Sequence, residues 1–305
     1  MNILLAYNHF TWQKAHYTLE DFFDKAQHTI ISFPFEKTAF WTNYYGKLPI
    51  YFPRKIPTSI QSIEEKYNIK FDLVIEVDGA GQHHLTGYKK FSGKKVFWSI
   101  DTHLPQKRVF SLYFEEDFDM LFTCHKDFME YFKKRKCIWL PVACNPAFHR
   151  KLNLPKLYDI VFVGNMKTHV DYAQRNRLLD LLSSHFNLHI FEGVYGQEMI
   201  RIFNQAKIVF NCSLNRDLNL RVFESLGCGS FLLTDHALNG LTDLFEDGKH
   251  LSIYHSDQEL LDKAQYYLSH ENEREEIAHC GHQEILAKHT YFHRIQTLLS
   301  SLDGA

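Results

Sequence analysis

The chain has 305 residues, of which 45% are hydrophobic, and carries a formal net charge of −2. This length suits two domains of ordinary size, and the apolar content excludes a disordered chain. The balanced charge gives no support for tight binding to nucleic acid or to a membrane surface, and no apolar run is long enough to predict a transmembrane helix.

The first half of the sequence alternates short apolar segments with helical patterns. Its N-terminus is apolar without a basic region, which predicts a first strand rather than a signal peptide. The six cysteines show no C-x-x-C pair and are expected to be free buried thiols of a cytoplasmic protein. Strands are predicted at residues 3–7, 29–33, 71–77, 95–100 and 120–124, and residues 137–140 close this half. Helices are predicted at residues 19–26, 59–67 and 126–136, the last with Phe128, Met129 and Phe132 inward. The proline-rich residues 34–58 predict a long irregular segment.

The pattern restarts after a candidate linker at residues 145–157. Strands are predicted at residues 159–163, 188–191, 208–211 and 231–234. Helices are predicted at residues 175–186, 198–206, 257–268, 271–288 and 291–302. Ser256 and Glu259 have the spacing of a capping box, which marks the start of the helix at 257–268.

Strands alternating with helices predict an α/β fold with parallel sheets covered on both faces. Because the alternation occurs twice, we expect two Rossmann-like domains facing across a cleft, at residues 1–150 and 151–290. Ligands of such sheets bind at the carboxyl ends of the strands. The residues at these predicted strand ends are Asp78, Asp101, Gly164, Gly193, Asn211 and Asp235.

Residues 219–235 predict a helix that begins with a polar residue and is followed by an apolar strand. A helix N-terminus, here at Asn219, presents free N–H groups that attract phosphate, and Arg221 adds a donor fork suited to phosphate oxygens. Glu224 lies three residues on, on the same helical face, where a carboxylate can accept hydrogen bonds from a pair of sugar hydroxyls. The alternative interpretation is a solvated Arg–Glu pair on an ordinary helix.

Residues 159–295 resemble the glycosyltransferase group-1-like domain of spore-maturation CgeB-type proteins. The residues that carry the resemblance are Val163-Gly164-Asn165, Arg175, Asn211, Asn219-x-Arg221-x-Phe223-Glu224, Gly227-Cys-Gly229 and His289-Thr290-Tyr291-x-x-Arg294. Residues 137–146 resemble the end of the N-terminal domain of the same proteins.

The resemblance implies a GT-B fold in which the second domain binds a nucleoside-diphosphate sugar, of the UDP or GDP type. It implies that Glu224 meets the ribose hydroxyls, and that the Arg221 region and the Gly164 loop face the diphosphate. Val194 and Tyr195 would then lie near the nucleobase. In many such folds the last helix, here at residues 291–305, crosses back to the first domain.

Two positions depart from the pattern of related transferases. A glutamate is expected eight positions before Glu224, where this chain has Arg216. An arginine is expected in the loop after the first strand of the second domain, where this chain has Asn165, with Lys167 two residues on. These changes leave the sugar contacts and the stereochemical outcome of a transfer open.

Glycosyl transfer develops negative charge on the departing diphosphate, which cations and N–H dipoles can stabilise. We expect Arg221, Lys167 and the helix start at Asn219 to serve this purpose, with no metal and no further cofactor. Zinc-like spacing is also missing among the six cysteines and nineteen histidines.

An inverting transfer also needs a base for the acceptor hydroxyl. The candidates are Asp101, Asp78 and His103 in the first domain, at predicted strand ends. The alternative is that Asp101 caps the next turn or helix and that Asp78 organises its glycine-rich turn.

The leading hypothesis is a metal-independent hexosyl- or related glycosyltransferase. It would move a sugar to a hydroxyl of a glycan, lipid-linked or protein acceptor, with no nucleic-acid partner. The alternatives are a nucleotide-sugar-binding protein that has lost the chemistry, and a nucleotide-sugar epimerase on the same fold.

Overall fold

The computed structural model describes residues 1–7, 19–34, 58–77, 85–166, 172–214 and 216–302. The chain divides into two compact units, one with Met1–Pro141 and the residues from Leu298 onward, the other with Val142–Thr297. Asp78, Lys167 and most of the predicted irregular segment lie outside the described residues. Across the described ranges, no helix combines the length and the apolar character that crossing a membrane requires.

The first unit is built on one parallel sheet. Its strands are β1 (Asn2–Tyr7), β2 (Thr29–Pro34), β3 (Leu73–Val77), β4 (Lys94–Ser99), β5 (Met120–Thr123) and β6 (Lys136–Trp139). They lie in the order β2-β1-β3-β4-β5-β6, and every neighbouring pair is parallel. The helices are α1 (Ile60–Tyr67) and α2 (Pro105–Tyr113), with shorter 3₁₀ helices at Leu19–Phe22, Tyr88–Lys90, Glu115–Asp117 and Lys126–Tyr131.

Continuous apolar runs place the central strands in the core. Residues 3–7 of β1 are buried throughout, as expected for a parallel strand covered on both faces. Glu76 continues β3 into the core, and its buried carboxylate accepts hydrogen bonds from the Tyr88 hydroxyl and from Leu85 N. These donors offset the cost of burying a charged group.

Two helix predictions in this unit were wrong, and one helix was missed. Residues 19–26 form only a short 3₁₀ helix, and residues 126–136 form one at Lys126–Tyr131 that gives way to β6. Of the three side chains predicted to point inward from the second segment, only Phe132 is buried. Helix α2 begins at Pro105, which fits the first helical position because its missing N–H is not needed there.

The short connection explains the 3₁₀ helix before β6. Thr123 ends β5 and Lys136 begins β6, and the two strands pair in parallel register. The chain must therefore return along the full strand within a crossover close to the minimum of about 10–12 residues. A 3₁₀ helix rises by about 2.0 Å per residue against 1.5 Å in an α-helix, so it covers this distance with fewer residues.

The second unit is also a parallel sheet flanked by helices. Its strands are β7 (Tyr158–Val163), β8 (Leu188–Phe191), β9 (Ala206–Asn211), β10 (Leu232–Asp235) and β11 (Ser252–Tyr254). Its helices are α3 (Ala173–His185), α4 (Gly196–Gln205), α5 (Leu220–Gly227), α6 (Leu241–Leu244), α7 (Asp257–Ser269), α8 (Glu271–Lys288) and α9 (Tyr291–Ser300), which runs past Thr297. The strand order is β11-β10-β9-β7-β8.

Both faces of this sheet are buried. Ile160 and Phe162 of β7 belong to a core cluster with Leu178 of α3 and Ala264 of α7. The alternate residues of β7, at 161 and 163, are buried on the opposite face. The predicted cap at Ser256 is confirmed, since Ser256 Oγ accepts from Glu259 N. The Glu259 carboxylate also reaches back, but it accepts from His255 N, one residue before the cap.

Candidate functional site

The second unit has a topological switch point between β7 and β9. The chain passes from β7 outward to β8 and then returns to β9 on the other side of β7. Open α/β sheets bind their ligands at the carboxyl ends of the strands where the order reverses. The loops that meet this edge begin with Gly164 after β7 and Cys212 after β9.

Arg175 connects the two loops at the switch point. Its Nε and Nη2 donate to the backbone oxygen of Cys212 at 3.1 and 2.8 Å, and its Nη1 donates to the backbone oxygen of Asn165 at 3.2 Å. Gly164 N donates to Phe191 O of β8 at 3.1 Å. At the switch point Gly164 is therefore held by β8 and Asn165 by Arg175, whose role here the sequence did not reveal.

The start of α5 lies beside the end of β9. Asn219 is the residue before the helix, and its side chain makes no capping hydrogen bond. Its Nδ2 donates instead to Asn211 Oδ1 at 3.3 Å, while Asn211 Nδ2 donates to Thr234 Oγ1 at 3.0 Å. Asn219 Oδ1 is buried and has no hydrogen-bond partner within the described ranges. The first N–H groups of α5 thus receive no side-chain cap.

Arg221 and Glu224 form an ion pair one turn into α5. Arg221 Nη1 lies 2.7 Å from Glu224 Oε2, and the carboxylate is almost buried, with 7% of the residue exposed. The guanidinium also contacts Met199 Sδ and lies over the ring of Phe203, 5.2 Å from its centroid. The Arg–Glu pair that the sequence analysis gave as the alternative interpretation is present. The donor fork of Arg221 is therefore partly occupied by protein groups.

A buried imidazole that the sequence did not single out faces the same carboxylate. His149 Nε2 lies 3.7 Å from Glu224 Oε1. His149 belongs to the segment after Pro141, far from Glu224 in sequence, and no local spacing relates the two residues. The nearest signal in the sequence was the resemblance of residues 137–146 to the end of an N-terminal domain, and that segment stops shortly before His149.

Asp235 ends β10 at the same edge. Ser213 N and Ser213 Oγ donate to its carboxylate at 3.1 and 2.7 Å, and Thr234 Oγ1 donates at 3.3 Å. Burial raises the pKa of Asp235, and the hydrogen bonds from Ser213 act in the opposite direction. The Asp235 carboxylate therefore holds the loop after β9 in place. Its oxygens already accept hydrogen bonds from protein donors.

Three further predicted donor residues lie on loops of this unit. Val194 and Tyr195 follow β8, where Val194 is half-buried and Tyr195 is exposed directly before α4. Arg216 is exposed, with a left-handed φ of 56°. Its Nη2 donates to His236 O at 3.3 Å, and its own backbone oxygen accepts from Leu238 N at 2.7 Å. Lys167 lies outside the described residues.

In the first unit, Asp101 and His103 follow β4. Buried hydroxyls fix this loop, since Thr102 Oγ1 lies 2.8 Å from Ser99 Oγ and 2.7 Å from Thr123 Oγ1. Burial lowers the pKa of His103, as does Arg108, whereas Asp101 raises it. Asp78, the third candidate base, lies outside the described residues.

His125, which follows β5, was missed by the sequence reasoning. Its ring lies 4.3 Å from that of His103 between centroids, and burial lowers the pKa of His125 to about 3. The ring nitrogens of the two imidazoles are donors of the type that transition metals bind.

Comparison with known proteins identifies the fold and the family. Residues 146–300 match the family model described as glycosyl transferase-like. No curated protein matches the sequence. Among solved structures, sucrose-phosphate synthase from Thermosynechococcus elongatus has a TM-score of 0.63 at 10% identity, with 100% of this chain and 99% of that chain covered.

Two further structures agree. A glycosyltransferase from Rickettsia africae has a TM-score of 0.58 at 12% identity, covering 98% of this chain and 97% of that chain. A UDP-forming trehalose-phosphate synthase from Burkholderia xenovorans has a TM-score of 0.53 at 12% identity, covering 79% and 76%. These likenesses confirm the predicted α/β fold of the GT-B class with two Rossmann-like domains. With half of its length matched by the family model, the chain belongs to the glycosyl transferase-like family.

Proposed function

We propose that this family member transfers a sugar from a nucleoside-diphosphate sugar, of the UDP or GDP type, to a hydroxyl acceptor without a metal ion. Family membership supplies sugar transfer as the class of reaction. The observation that carries the donor assignment is the carboxylate of Glu224. It is almost buried, paired with Arg221, and carried by a helix that begins beside the switch point.

The other donor contacts follow from the elements around this carboxylate. Glu224 would accept the two ribose hydroxyls, while the uncapped start of α5 at Asn219 and the loop at Gly164 would receive the diphosphate. Tyr195, exposed before α4, is suited to stack on the nucleobase together with Val194. This arrangement accounts for every part of a nucleoside diphosphate.

The leaving diphosphate gains negative charge in the transition state, so fixed donors at its position accelerate the reaction. A well-placed donor contributes roughly 3–4 kcal/mol to such a step. We assign this role to Arg221, Lys167 and the N–H groups at the start of α5. Arg216 is an exposed cation at the position where related enzymes have a glutamate. It is therefore the residue most able to change the sugar contacts and the stereochemical outcome of the transfer.

The proton of the acceptor hydroxyl requires a base if the transfer inverts the sugar. We propose His103 or Asp101, with Asp78 as the remaining candidate. Burial lowers the pKa of His103, which keeps the imidazole neutral and able to accept a proton near pH 7. Replacing each residue singly and comparing turnover at saturating donor would separate the candidates.

A thermal-shift panel of UDP, GDP, dTDP, CDP and ADP, with and without Mg²⁺, tests the proposed donor. A ligand that binds only the folded protein raises its melting temperature by mass action. We expect UDP or GDP to do so equally well without Mg²⁺. Glu224→Ala should weaken that nucleotide by about ten- to hundredfold in Kd, because hydrogen bonds to a charged group are lost. Glu276→Ala, at an exposed glutamate of α8, is the matched control.

The outcomes separate the possible functions. Unchanged affinity and turnover in Glu224→Ala would show that the donor site is misplaced, and a requirement for Mg²⁺ would overturn the metal-free transfer. Binding without transfer or donor hydrolysis would indicate a protein that has kept the site and lost the chemistry, a possibility raised by Arg216. A changed sugar formed without any acceptor would indicate an epimerase.

A further inference from the structure

His149 is fully buried, with 0% exposure, and faces the carboxylate at the centre of the proposed donor site. Its Nε2 lies 3.7 Å from Glu224 Oε1, while Arg221 Nη1 lies 2.7 Å from Oε2 of the same carboxylate. Each carboxylate oxygen therefore has a different nitrogen-bearing neighbour. Arg221 is on the same helix as Glu224, whereas His149 comes from a separate segment.

The turn that carries His149 determines which ring nitrogen holds the proton. Asn145 N donates to His149 Nδ1 at 3.2 Å, and His149 N donates to Asn145 O at 2.7 Å. Because Nδ1 accepts a hydrogen bond, the neutral imidazole carries its proton on Nε2, the atom that faces Glu224. Burial lowers the pKa of His149, against an opposite effect of Glu224, and so favours this neutral form.

The same turn is fixed to the rest of the unit from two sides. Cys144 N donates to His289 O at 3.1 Å, and Tyr291 N donates to Cys144 O at 3.0 Å. On the other side it packs against Gly227 of α5, where an added Cβ would lie 3.0 Å from His149 Cβ and 3.1 Å from Cys144 Sγ. The glycine thus permits the close approach that brings the imidazole to Glu224.

We propose that His149 is a positioning residue for donor binding, whose Nε2–H orients the Glu224 carboxylate for the ribose hydroxyls. The inference rests on the proposed function, in which Glu224 accepts those hydroxyls. With Arg221 alone, the carboxylate could turn about its side-chain bonds while keeping one contact. His149 Nε2 lies 3.7 Å from the other oxygen, beyond hydrogen-bond length, so it acts through the electrostatic attraction of its N–H dipole. This attraction favours one orientation of the carboxylate, with both oxygens ready for a diol, and reduces the entropy lost on binding.

Calorimetric titration with a matched pair of ligands distinguishes this role from a merely structural one. The pair is the nucleoside diphosphate that stabilises the wild type and its 2′,3′-dideoxy counterpart, which lacks both ribose hydroxyls. We expect His149→Leu to weaken the ribonucleotide by about tenfold and the dideoxynucleotide by less than about twofold. His149→Gln, which can place an amide N–H near the position of Nε2, should stay within about threefold of the wild type for both ligands.

Equal losses for the two ligands in His149→Leu would overturn the inference, as would no loss for either. Glu224→Ala shows which proposal has failed. If Glu224→Ala retains the preference for the ribonucleotide, the proposed donor site is wrong. If it abolishes the preference while His149→Leu retains it, only the role of His149 is wrong. A wild type that binds no nucleotide would remove both proposals.

A second measurement applies if His149→Leu does not fold. In ¹⁵N-histidine-labelled wild type, with the His149 signal assigned by its loss in His149→Gln, we expect the Nε2–H tautomer. Its Nε2 resonance should shift on adding the ribonucleotide and not on adding the dideoxynucleotide. An Nδ1–H tautomer, or the same shift with both ligands, would contradict the inference.

Discussion

His289 is a buried imidazole held neutral by its surroundings. The residue is 6% exposed, and its Nδ1 lies 3.4 Å from Arg294 Nη2. Burial, followed by the charge of Arg294, lowers its pKa to about 4. The unfolded chain, with a histidine pKa near 6.5, therefore takes up the proton first as the pH falls. The contribution of neutral His289 to the free energy of unfolding is fully present above about pH 6.5 and is lost as the pH falls toward 4. The loss between pH 7 and pH 5 is about 2 kcal/mol.

Urea unfolding at pH 7 and pH 5 measures this contribution. Between the two pH values, we expect the free energy of unfolding of His289→Gln to fall by about 2 kcal/mol less than that of the wild type, since glutamine does not titrate. His279→Gln, at an exposed histidine of α8, is the control and should follow the wild type. An equal loss in His289→Gln and the wild type would show that His289 is not the group that titrates.

The residues of the candidate site differ in how far the sequence predicts them. Asn219, Arg221 and Glu224 stand within one helical turn or two, so helical spacing alone predicts a shared face. The contact of His149 with Glu224 depends on a distant turn and on the absence of a side chain at Gly227. Local spacing carries no information on such contacts. Asn219 also binds Asn211 instead of capping its helix, which only the packing of β9 against α5 determines.

Helices α5 and α8 pack closely at a glycine. A Cβ added at Gly281 would lie 2.2 Å from His250 O and 2.9 Å from Leu226 Cδ2. In an open helix, alanine in place of glycine adds about 1 kcal/mol of stability. Here we expect Gly281→Ala to destabilise the protein by about 1–3 kcal/mol, because a backbone oxygen must move. The expected effect thus has the opposite sign to the helix propensity.

Urea unfolding of Gly281→Ala and of Gln283→Ala on the same helix provides the comparison. Gln283 is exposed, so its replacement should change the free energy of unfolding by less than about 0.5 kcal/mol. A Gly281→Ala protein as stable as the wild type, or more stable, would show that Gly281 is not in close contact with His250 and Leu226. Because α5 carries Glu224, nucleotide affinity in Gly281→Ala reports how far the packing supports the site.

Elements with strong local signals were predicted well. The strand at residues 188–191 was predicted with the bounds that the structure gives, and the helix predicted at 257–268 begins directly after its cap Ser256. A short run of mostly apolar residues and a cap at a fixed spacing are both local features of the sequence. The segment Lys126–Tyr131 has the apolar pattern of a helix, but its 3₁₀ geometry depends on the distance that the connection between β5 and β6 must span. That distance is set by the sheet and not by the local sequence.

At the scale of the whole molecule, each sheet has its own reversal of strand order. The reversal lies between β1 and β3 in the first unit and between β7 and β9 in the second. Both units therefore offer a carboxyl edge of the kind that binds ligands, and strand order alone does not assign the nucleotide to either. The buried carboxylate of Glu224 and the uncapped start of α5 favour the second unit.

Hydrogen exchange with and without the stabilising nucleoside diphosphate tests this assignment across the chain. At a ligand concentration of about 100 times Kd, binding adds about 2.7 kcal/mol to the free energy of opening of the segments that the ligand contacts. Amide exchange in these segments then slows by up to about a hundredfold. We expect the slowing in peptides that contain Gly164 or Asn219, and not in peptides from β3 or β4. Glu224→Ala, with its Kd raised about ten- to hundredfold, should at the same nucleotide concentration slow exchange by only about two- to tenfold. Slowing confined to β3 and β4 would place the nucleotide in the first unit and exclude Glu224 as its ribose ligand.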